Sequence, residues 1–266
     1  MKQDLHSQNV LEIKNLNYEI ATNSVIENFN LSLKKGQILT LFGASGCGKS
    51  TLLKLIARIL EPKNGVIEAA DFAFIFQEHR LFENLNALEN VALMFESPKN
   101  LNYKELSMKF GADFKSAKSF ETWRKMWIMS EFNALGLSQK DALKYPSELS
   151  GGMRARVSFI RALARSLSEK TLLFLLDEPF SGLDFNVKQI LIKKLISSVK
   201  NQGKAALLVT HDSFEAVLLS DEIYFLEPKL MKIEKKLSLK TSFEARNLAY
   251  VNEILQKEFK DRIYFD

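Results

Sequence analysis

The sequence predicts an α/β fold built on a mostly parallel central sheet, with antiparallel strands near the N-terminus and an inserted helical subdomain. Two patterns indicate this fold. Short apolar runs such as Phe72–Phe76, Leu172–Leu176 and Ala205–Thr210 alternate with helical stretches, which is the order of strand–helix–strand units with right-handed crossovers. From about Asn84 to Leu149 the chain instead reads as helices and connectors, so this stretch is expected to interrupt the sheet.

The N-terminal region reads as two short antiparallel strands, Leu11–Ile20 and Ser24–Leu33. Tyr18 lies in the first of them. Its flat ring is a candidate for stacking on an adenine base, and packing of the ring on the sheet is the equally open alternative.

A glycine-rich segment follows a short apolar strand, Gln37–Phe42, and precedes a predicted helix, Thr51–Leu60. It fits the pattern Gly, four residues, Gly, Lys, then Ser or Thr. The backbone N–H groups of such a turn form an anion-binding nest, to which the next helix adds its positive dipole end. The candidate nucleotide-binding residues are Gly43, Ala44, Ser45, Gly46, Cys47, Gly48, Lys49, Ser50 and Thr51. Lys49 is expected to reach the β- and γ-phosphates of a bound triphosphate, and the Ser50 hydroxyl to ligate Mg²⁺.

The chain between this loop and the helical subdomain contains one more strand. We expect the helix after the loop to be stopped by Pro62, and Lys63–Gly65 to form a turn. The strand Phe72–Phe76 then ends at Gln77. A polar amide at the carboxyl end of a buried strand stands where α/β folds place ligand contacts, so Gln77 is a candidate site residue.

The inserted helical subdomain is placed at residues 84–165. Asn86 is expected to cap a helix running through Phe95, and Ser119 to cap a second one. Four large apolar side chains share one face of the second helix: Phe120, Trp123, Trp127 and Ile128. Such a face is usually core, with a groove for a partner as the alternative. Tyr145-Pro146 is expected to end this helical stretch.

The segment Ser150-Gly151-Gly152 opens the next helix and has the composition of an anion site. It offers a hydroxyl at the cap position, two glycines that allow close backbone approach, and a helix N-terminus. Because the chain already has a phosphate loop, this second helix end suggests that it completes the site of another copy of the chain.

Charged groups follow two further apolar strands. Asp177 and Glu178 come directly after Leu172–Leu176, and His211 follows Ala205–Thr210. Because the carboxyl ends of parallel strands meet at one edge of a sheet, these groups are expected to share a site with the phosphate loop. Asp177 is placed to hold Mg²⁺, Glu178 to accept a proton from an attacking water, and His211 to fix that water or contact the γ-phosphate.

The C-terminal third of the chain begins with a predicted turn at residues 181–184 and a helix at Val187–Val199. The tail, residues 222–266, reads as a hairpin, Glu222–Leu226 with Met231–Leu237, and a final helix from Ser242. A group of lysines is read as a solvated face in preference to a contact for anionic lipids: Lys229, Lys232, Lys235, Lys236 and Lys240.

Composition limits the possible partners and compartment. The net charge of +5 comes from 37 basic and 32 acidic residues that are interspersed, so no nucleic-acid surface is expected. A lone Cys47 allows no intrachain disulfide and favours a reducing cytoplasm. The first residues lack the apolar run of a secretory signal, and no apolar run is long enough to cross a bilayer.

The segment Leu149-Ser150-Gly151-Gly152-Met153, together with the phosphate loop and Asp177-Glu178, resembles the ATPase subunits of ABC transporters. The resemblance covers about residues 11–226 and implies a P-loop NTPase fold in one domain, 1–266. It also implies a head-to-tail dimer that closes on two ATP molecules, each between Lys49 of one copy and Ser150 of the other.

The same resemblance implies roles for single residues. Gln77 couples the nucleotide to the membrane subunits and joins Ser50 and Asp177 as a candidate Mg²⁺ ligand. Glu178 is the catalytic base, His211 contacts the γ-phosphate, and Asp184 crosses the dimer interface.

A finer resemblance is to bacterial importers. Phe76–Leu81 followed by Leu88–Val91, and Leu208–Asp212 followed by Glu215–Asp221, resemble the ATPases of nitrate, sulfonate and taurine importers, and thiamine-precursor importers are similar. This implies ATP-driven uptake of a small solute through integral membrane permease subunits, with a solute-binding protein as an indirect partner. The ATPase is expected in the cytoplasm, peripheral on the inner face of the cell membrane.

Three other functions stay open from the residues alone. They are an ABC ATPase that acts without a permease, a phosphate-loop kinase or GTPase, and a binding module without catalysis. The Ser150 motif disfavours the kinase or GTPase, and the combination of Lys49, Asp177, Glu178 and His211 disfavours the binding module.

Overall fold

The computed structural model describes residues 9–21, 23–95, 117–227 and 230–260. Lys229, residues 96–116 of the predicted helical subdomain and residues 261–266 of the predicted tail lie outside the described residues. The chain divides into two compact units. Unit 1 comprises Met1–Ala70, Leu173–Glu178 and Leu195–Asp266, and unit 2 comprises Asp71–Leu172 and Pro179–Lys194.

Unit 1 contains an antiparallel sheet in the order β2-β1-β4. Its strands are β1 (Asn9–Ile20), β2 (Asn23–Lys34) and β4 (Asn64–Ala69). The two predicted N-terminal strands are confirmed, but the turn predicted at Lys63–Gly65 is wrong because Asn64 already opens β4. A Cβ on Gly65 would lie 2.6 Å from the Leu16 Cα, so this glycine permits close approach of two backbones and does not mark a turn.

Unit 1 also holds the strands of a mostly parallel sheet, as predicted. They lie in the order β6-β7-β3-β8-β9, and the last pair is antiparallel. Their bounds are β3 (Ile38–Phe42), β6 (Thr171–Asp177), β7 (Ala205–Thr210), β8 (Glu222–Leu226) and β9 (Ile233–Ser238). Strands β3 and β7 are buried along their whole length, which explains their continuous apolar sequences. The second hairpin strand begins at Ile233, two residues later than predicted, because Met231 forms an isolated bridge with Ile26.

Helices α1 (Lys49–Ile56), α7 (Ser213–Leu219) and α8 (Leu248–Glu258) belong to unit 1. The predicted extension of α1 to Leu60 is wrong. Arg58 adopts a left-handed φ of 56° and ends the helix, so Pro62 is not the residue that stops it. The predicted final helix is confirmed, but its predicted start at Ser242 is wrong. Ser242 opens a short 3-10 turn, and α8 begins after Asn247, whose side chain accepts the Tyr250 N–H.

The C-terminal helix is anchored behind the phosphate loop by aromatic packing. Phe259 is fully buried, and its ring meets Phe42 edge-on at a centroid distance of 4.9 Å and Phe225 at 5.0 Å. Phe42 is the last residue of β3. The tail therefore completes the core under the strand that leads into the loop.

The described residues of unit 2 form a short strand and several helices. They are β5 (Asp71–Ile75), α2 (Ala87–Ala92), α3 (Ala117–Ala134), α4 (Gln139–Ala142), a 3-10 turn (Pro146–Glu148) and α5 (Gly151–Ser166). Helix α6 (Phe185–Gln202) begins in this unit, two residues earlier than predicted. Asn86 caps α2 as predicted, in a capping box with Glu89, but the helix ends at Ala92 and not at Phe95.

Helix α3 differs from its prediction in its start but not in its apolar face. Ser119 lies inside α3, so the prediction that it caps this helix is wrong; a cap residue stands before the first helical turn. The predicted apolar face is core, since its four side chains are buried: Phe120, Trp123, Trp127 and Ile128. Within the residues that the structure describes, no helix combines the length and apolarity required to cross a membrane.

Candidate functional site

The phosphate loop joins β3 to α1 and depends on two glycines with left-handed backbone. Gly46 has φ +83° and Gly48 has φ +100°, values that other residues adopt at a cost. A Cβ on Gly48 would also lie 3.0 Å from Val25 Cγ1. Gly48 is the N-cap of α1 and supplies no side-chain cap, so the first N–H groups of this helix are left for an anion.

Lys49 is buried within the loop. Its Nζ donates to the carbonyl oxygens of Gly43 at 2.7 Å and Ala44 at 2.8 Å, and lies 3.8 Å from Cys47 Sγ. Cys47 is 1% exposed and fills space under the loop. These bonds hold a positive charge where the loop would receive phosphate oxygens.

Ser50 and Asp177 bring the loop and the end of β6 together, as predicted. The Ser50 hydroxyl donates to Asp177 Oδ1 at 3.1 Å. Asp177 is 4% exposed, and its burial raises the pKa of the carboxyl group, as does the neighbouring Glu178 charge, while the Ser50 hydrogen bond lowers it. A hydroxyl and a carboxylate are oxygen ligands of the kind that Mg²⁺ prefers, so this pair fits the ion.

Glu178 adopts a left-handed φ of 47°, which is uncommon for a residue with a side chain and typical of functional sites. Its N–H donates to the Val209 carbonyl at 3.0 Å. This backbone bond fixes the turn that carries the carboxyl group past the end of β7.

The Glu178 carboxylate contacts His211, so these two predicted residues are also brought together. Oε1 accepts the His211 backbone N–H at 3.0 Å and lies 2.8 Å from His211 Nδ1. The Glu178 side chain is 12% exposed and that of His211 57%. A shielded carboxylate beside an accessible imidazole can take a proton from a bound water and orient that water.

Sequence reasoning gave no role to two groups that the structure places behind Glu178. The Thr210 hydroxyl lies 3.1 Å from Glu178 Oε2 and 3.2 Å from Glu215 Oε2. Glu215 stands in the first turn of α7, which Asp212 caps by accepting the Glu215 N–H at 3.1 Å. The available signal was a polar residue at the end of β7 followed by a carboxylate in the next helical turn.

In unit 2, the Ser150 motif has the geometry predicted for it. Ser150 is exposed and caps α5, since its Oγ accepts the Met153 N–H at 3.2 Å. A Cβ on Gly151 would meet no heavy atom within 4 Å, and one on Gly152 would lie 3.4 Å from the Gly182 carbonyl oxygen. The motif therefore presents an open backbone beside the turn at residues 181–184.

Three more predicted site residues are Asp184, Gln77 and Tyr18. Asp184 is exposed and caps α6, with its Oδ1 accepting the Val187 N–H at 3.0 Å. Gln77 is exposed beyond the end of β5. Tyr18 is half-buried in β1, opposite Ile26. Their predicted roles stay predictions.

Comparisons with known proteins agree on one family. The family model described as ABC transporter matches residues 26–181. The chain is 36% identical over 230 residues to the aliphatic sulfonates import ATP-binding protein SsuB of Bacillus subtilis (strain 168), covering 83% of this chain and 80% of that protein. It is 31% identical to the Fe(3+) ions import ATP-binding protein FbpC 2 of Haemophilus influenzae, covering 85% of this chain and 61% of that one.

A solved structure extends the likeness to the fold. The dimeric post-hydrolysis state of the ATP-binding cassette MJ0796, bound to ADP and Pi, matches with a TM-score of 0.68 and 25% identity. The match covers 87% of this chain and all of that one.

Proposed function

We propose that this chain, which belongs to the ABC transporter family as an ATP-hydrolysing subunit, powers import of a small solute through a separate membrane permease. The relatives named as import ATP-binding proteins support the direction of transport. The cargoes in the names of these relatives differ, being aliphatic sulfonates and ferric ions. We favour a sulfonate-like, nitrate-like or taurine-like solute, with a thiamine precursor or another solute as the alternative.

The observation that carries this proposal is the pairing of Glu178 with His211 in the unit that also holds the phosphate loop. Glu178 accepts the proton of the attacking water, and His211 orients this water and contacts the γ-phosphate. The loop N–H groups and Lys49 hold the β- and γ-phosphates of ATP. Both effects are of the kind that phosphoryl transfer needs, namely positioning and charge stabilisation.

The Mg²⁺ that accompanies ATP is assigned to Ser50 and Asp177, whose oxygens already face each other. When bound, the ion neutralises charge that develops on the phosphate oxygens. Gln77 is retained as a further ligand and as the link to the permease, on the family resemblance. Tyr18 is retained as the candidate adenine contact on its aromatic chemistry.

We also propose that two copies share each ATP. Ser150, Gly151 and Gly152 of one copy complete the site of the other, and Asp184 lies at their interface. The open backbone at Gly151 and the exposure of Ser150 support this assignment, as does the dimeric state named for the similar cassette.

The remaining proposals concern organisation and place. We propose one ATPase domain at 1–266, with the helical subdomain at 84–165 and the hairpin and helix at 222–266. In the cell, the chain binds the inner face of the cell membrane through its permease, and a solute-binding protein delivers the cargo to that permease. Nucleic acid is not among the proposed partners.

The Glu178→Gln variant tests the catalytic assignment. The amide retains the shape of the side chain but cannot take a proton, so turnover is expected to fall at least about 100-fold while ATP affinity stays within about threefold. Steady-state phosphate release and nucleotide binding by fluorescence measure the two effects. Glu253→Ala, an exposed change on α8, is the control. Hydrolysis at the wild-type rate by Glu178→Gln would show that Glu178 is not the catalytic base.

A reconstituted complex identifies the cargo. The permease subunits purified with this chain are placed in vesicles, and candidate solutes are added with the solute-binding protein while ATP hydrolysis is recorded. A sulfonate that stimulates hydrolysis and accumulates inside the vesicles supports our preferred class. Stimulation by ferric ions alone would replace it.

A further inference from the structure

The C-terminal segment, residues 243–259, packs against the strand that leads into the phosphate loop. The ring of Phe259, which is fully buried, lies edge-on to Phe42 at a centroid distance of 4.9 Å and to Phe225 at 5.0 Å. Phe42 pairs with Phe225 in the register of β3 and β8 and directly precedes Gly43. A Cβ on Gly43 would lie 3.1 Å from Leu226 Cβ. The entrance of the loop is therefore close-packed, and Phe259 is part of that packing.

A second attachment joins the C-terminal segment to α7. Arg246 is buried at 6% exposure. Its guanidinium donates to three backbone carbonyl groups at the C-terminal end of α7, those of Val217 at 3.1 Å, Leu218 at 3.2 Å and Ser220 at 2.7 Å. The last carbonyl groups of a helix lack partners within it, and a cation there also interacts favourably with the helix dipole. Arg246 thus fixes this end of α7.

The other end of α7 adjoins a predicted site residue. His211 is followed by Asp212, which caps α7 by accepting the Glu215 N–H at 3.1 Å. The interior of α7 also shares one buried cluster with Phe42 and Phe259. The C-terminal segment therefore supports two elements that border predicted phosphate contacts, β3 before the loop and α7 after His211. Because protein interiors are close-packed, a change in this segment is felt by both elements.

We propose that the C-terminal segment positions the nucleotide site through these two attachments. Phe259 holds the end of β3, and with it the loop that receives the β- and γ-phosphates. Arg246 holds α7, and with it the place of His211. The inference rests on the proposed binding of ATP by the phosphate loop and adds two residues that set the geometry of that site. Both act through other residues, so they are positioning residues.

The two attachments should have different functional signatures. MgADP occupies the phosphate loop but lacks the γ-phosphate that His211 is proposed to contact. A loosened loop therefore weakens MgADP binding, whereas a displaced His211 slows hydrolysis and leaves MgADP affinity nearly unchanged. General destabilisation cannot produce this split, because it reduces the amount of folded protein without changing the Kd or the kcat of the folded molecules.

The Phe259 attachment is tested by calorimetric titration of the purified full-length chain with MgADP. Phe259→Ala leaves a cavity beside Phe42 and is expected to raise the Kd about tenfold. Phe259→Leu fills most of that space and is expected to raise it about threefold. Thermal unfolding establishes that each variant is folded at the assay temperature. If Phe259→Ala does not fold, Phe259→Leu decides alone, and a Kd equal to that of the wild type would overturn the role of Phe259.

Leu11→Ala is the matched control for loss of stability. Leu11 is also fully buried, but it lies in the antiparallel sheet, opposite Leu33 and Ala69. Its truncation destabilises the same unit without loosening the loop, so the Kd for MgADP should change less than about twofold. A rise as large as that of Phe259→Ala would assign the effect to stability and would overturn the proposal.

The Arg246 attachment is tested by hydrolysis, with kcat expressed per MgADP-binding site. Arg246→Met removes the donors and is expected to lower kcat about tenfold, with the Kd for MgADP changed less than about twofold. Arg246→Lys retains a cation with three donors and is expected to lower kcat only about threefold. Glu253→Ala, an exposed change on α8, should match the wild type. If Arg246→Met does not fold, Arg246→Lys decides alone. Wild-type turnover in the variant that decides, or Arg246→Lys no faster than Arg246→Met, would overturn the role of Arg246.

The proposed function and the positioning role fail differently. If Lys49→Ala binds MgADP as tightly as the wild type, the phosphate loop is not the nucleotide site and the positioning role falls with it. If Lys49→Ala loses MgADP binding while the Phe259 and Arg246 variants match the wild type, the nucleotide site stands and the positioning role is wrong.

Discussion

Two helix N-termini in this chain offer N–H groups to anions, but they differ in their N-cap residues. At α1 the cap residue is Gly48, which provides no side-chain oxygen, and the neighbouring Lys49 is bound to carbonyl groups of its own loop. At α5 the cap is Ser150, whose oxygen already accepts the Met153 N–H. The first terminus has no side-chain cap and carries a buried cation, whereas one N–H group of the second is already bound by the serine hydroxyl.

This difference indicates a division of labour. An uncapped terminus with a buried lysine can hold a phosphate group by itself. A capped terminus has one N–H fewer to offer, but its serine can still donate its hydroxyl proton to a ligand while it accepts from Met153. We infer that the α1 terminus supplies most of the ATP affinity, and that the α5 terminus adds a directional contact from a second copy.

Mixed dimers give the strongest test of this comparison. Lys49→Ala and Ser150→Ala should each abolish hydrolysis when they are the sole protein present, because each spoils both shared sites of a dimer. In an equal mixture half of the dimers contain one intact site, so hydrolysis should return to roughly a quarter of the wild-type rate. Phosphate release from the mixture after co-refolding measures the recovery.

The control for the mixture is each variant carried through the same refolding alone. A mixture as inactive as the two separate variants would show that Lys49 and Ser150 act within one copy. The comparison between the two termini would then describe two parts of one site.

The variant Asp177→Asn tests the carboxylate that contacts the phosphate loop, and we expect it to lower activity and raise stability. Loss of the charge should lower Mg²⁺-dependent hydrolysis by about 100-fold, because a carboxylate ligand becomes an amide. Without metal and nucleotide the same change should stabilise the fold by about 1 kcal/mol, since a charge buried at 4% exposure is removed. Urea unfolding in the presence of a chelator measures the gain.

Asp184→Asn is the matched control for this stability effect. Asp184 is exposed and caps α6, and Asn caps a helix about as well as Asp does. Its free energy of unfolding should change by less than about 0.5 kcal/mol. If Asp177→Asn is less stable than the wild type, the Asp177 charge is better compensated than its surroundings indicate.

The contrast between the two termini was partly visible in the sequence. The spacing of Gly43, Gly48 and Lys49 predicted the loop, because its backbone needs glycine at fixed positions and this need is local. The contact between Ser50 and Asp177 followed from the rule that parallel strands end at one edge. Ser150 was recognisable as a cap for the same local reason.

The features that were missed depend on residues far apart in the chain. Asn64-Gly65 has the composition of a turn, yet Gly65 sits in β4 because the backbone at Leu16 approaches it. The left-handed Glu178 is fixed by the carbonyl group of Val209 on a neighbouring strand. The shared hydroxyl of Thr210 requires the register of β6 and β7. Composition and spacing carry no information about these approaches.

The smallest expected effect separates the two uses of the Ser150 hydroxyl. As a helix cap, Ser150→Ala should cost about 1 kcal/mol of unfolding free energy, and Ser150→Gly only a few tenths. As a ligand contact, the hydroxyl is lost equally in both variants, so both should lose hydrolysis to the same extent.

Ser138→Ala is the matched control, because Ser138 caps α4 by accepting the Asp141 N–H at 3.2 Å. It should lose about as much stability as Ser150→Ala and keep its hydrolysis. The contrary outcome is that hydrolysis follows stability in Ser150→Ala and Ser150→Gly, with Ser150→Gly nearly as active as the wild type. The hydroxyl would then serve only as the helix cap, and the α5 terminus would bind ATP through its glycine backbone.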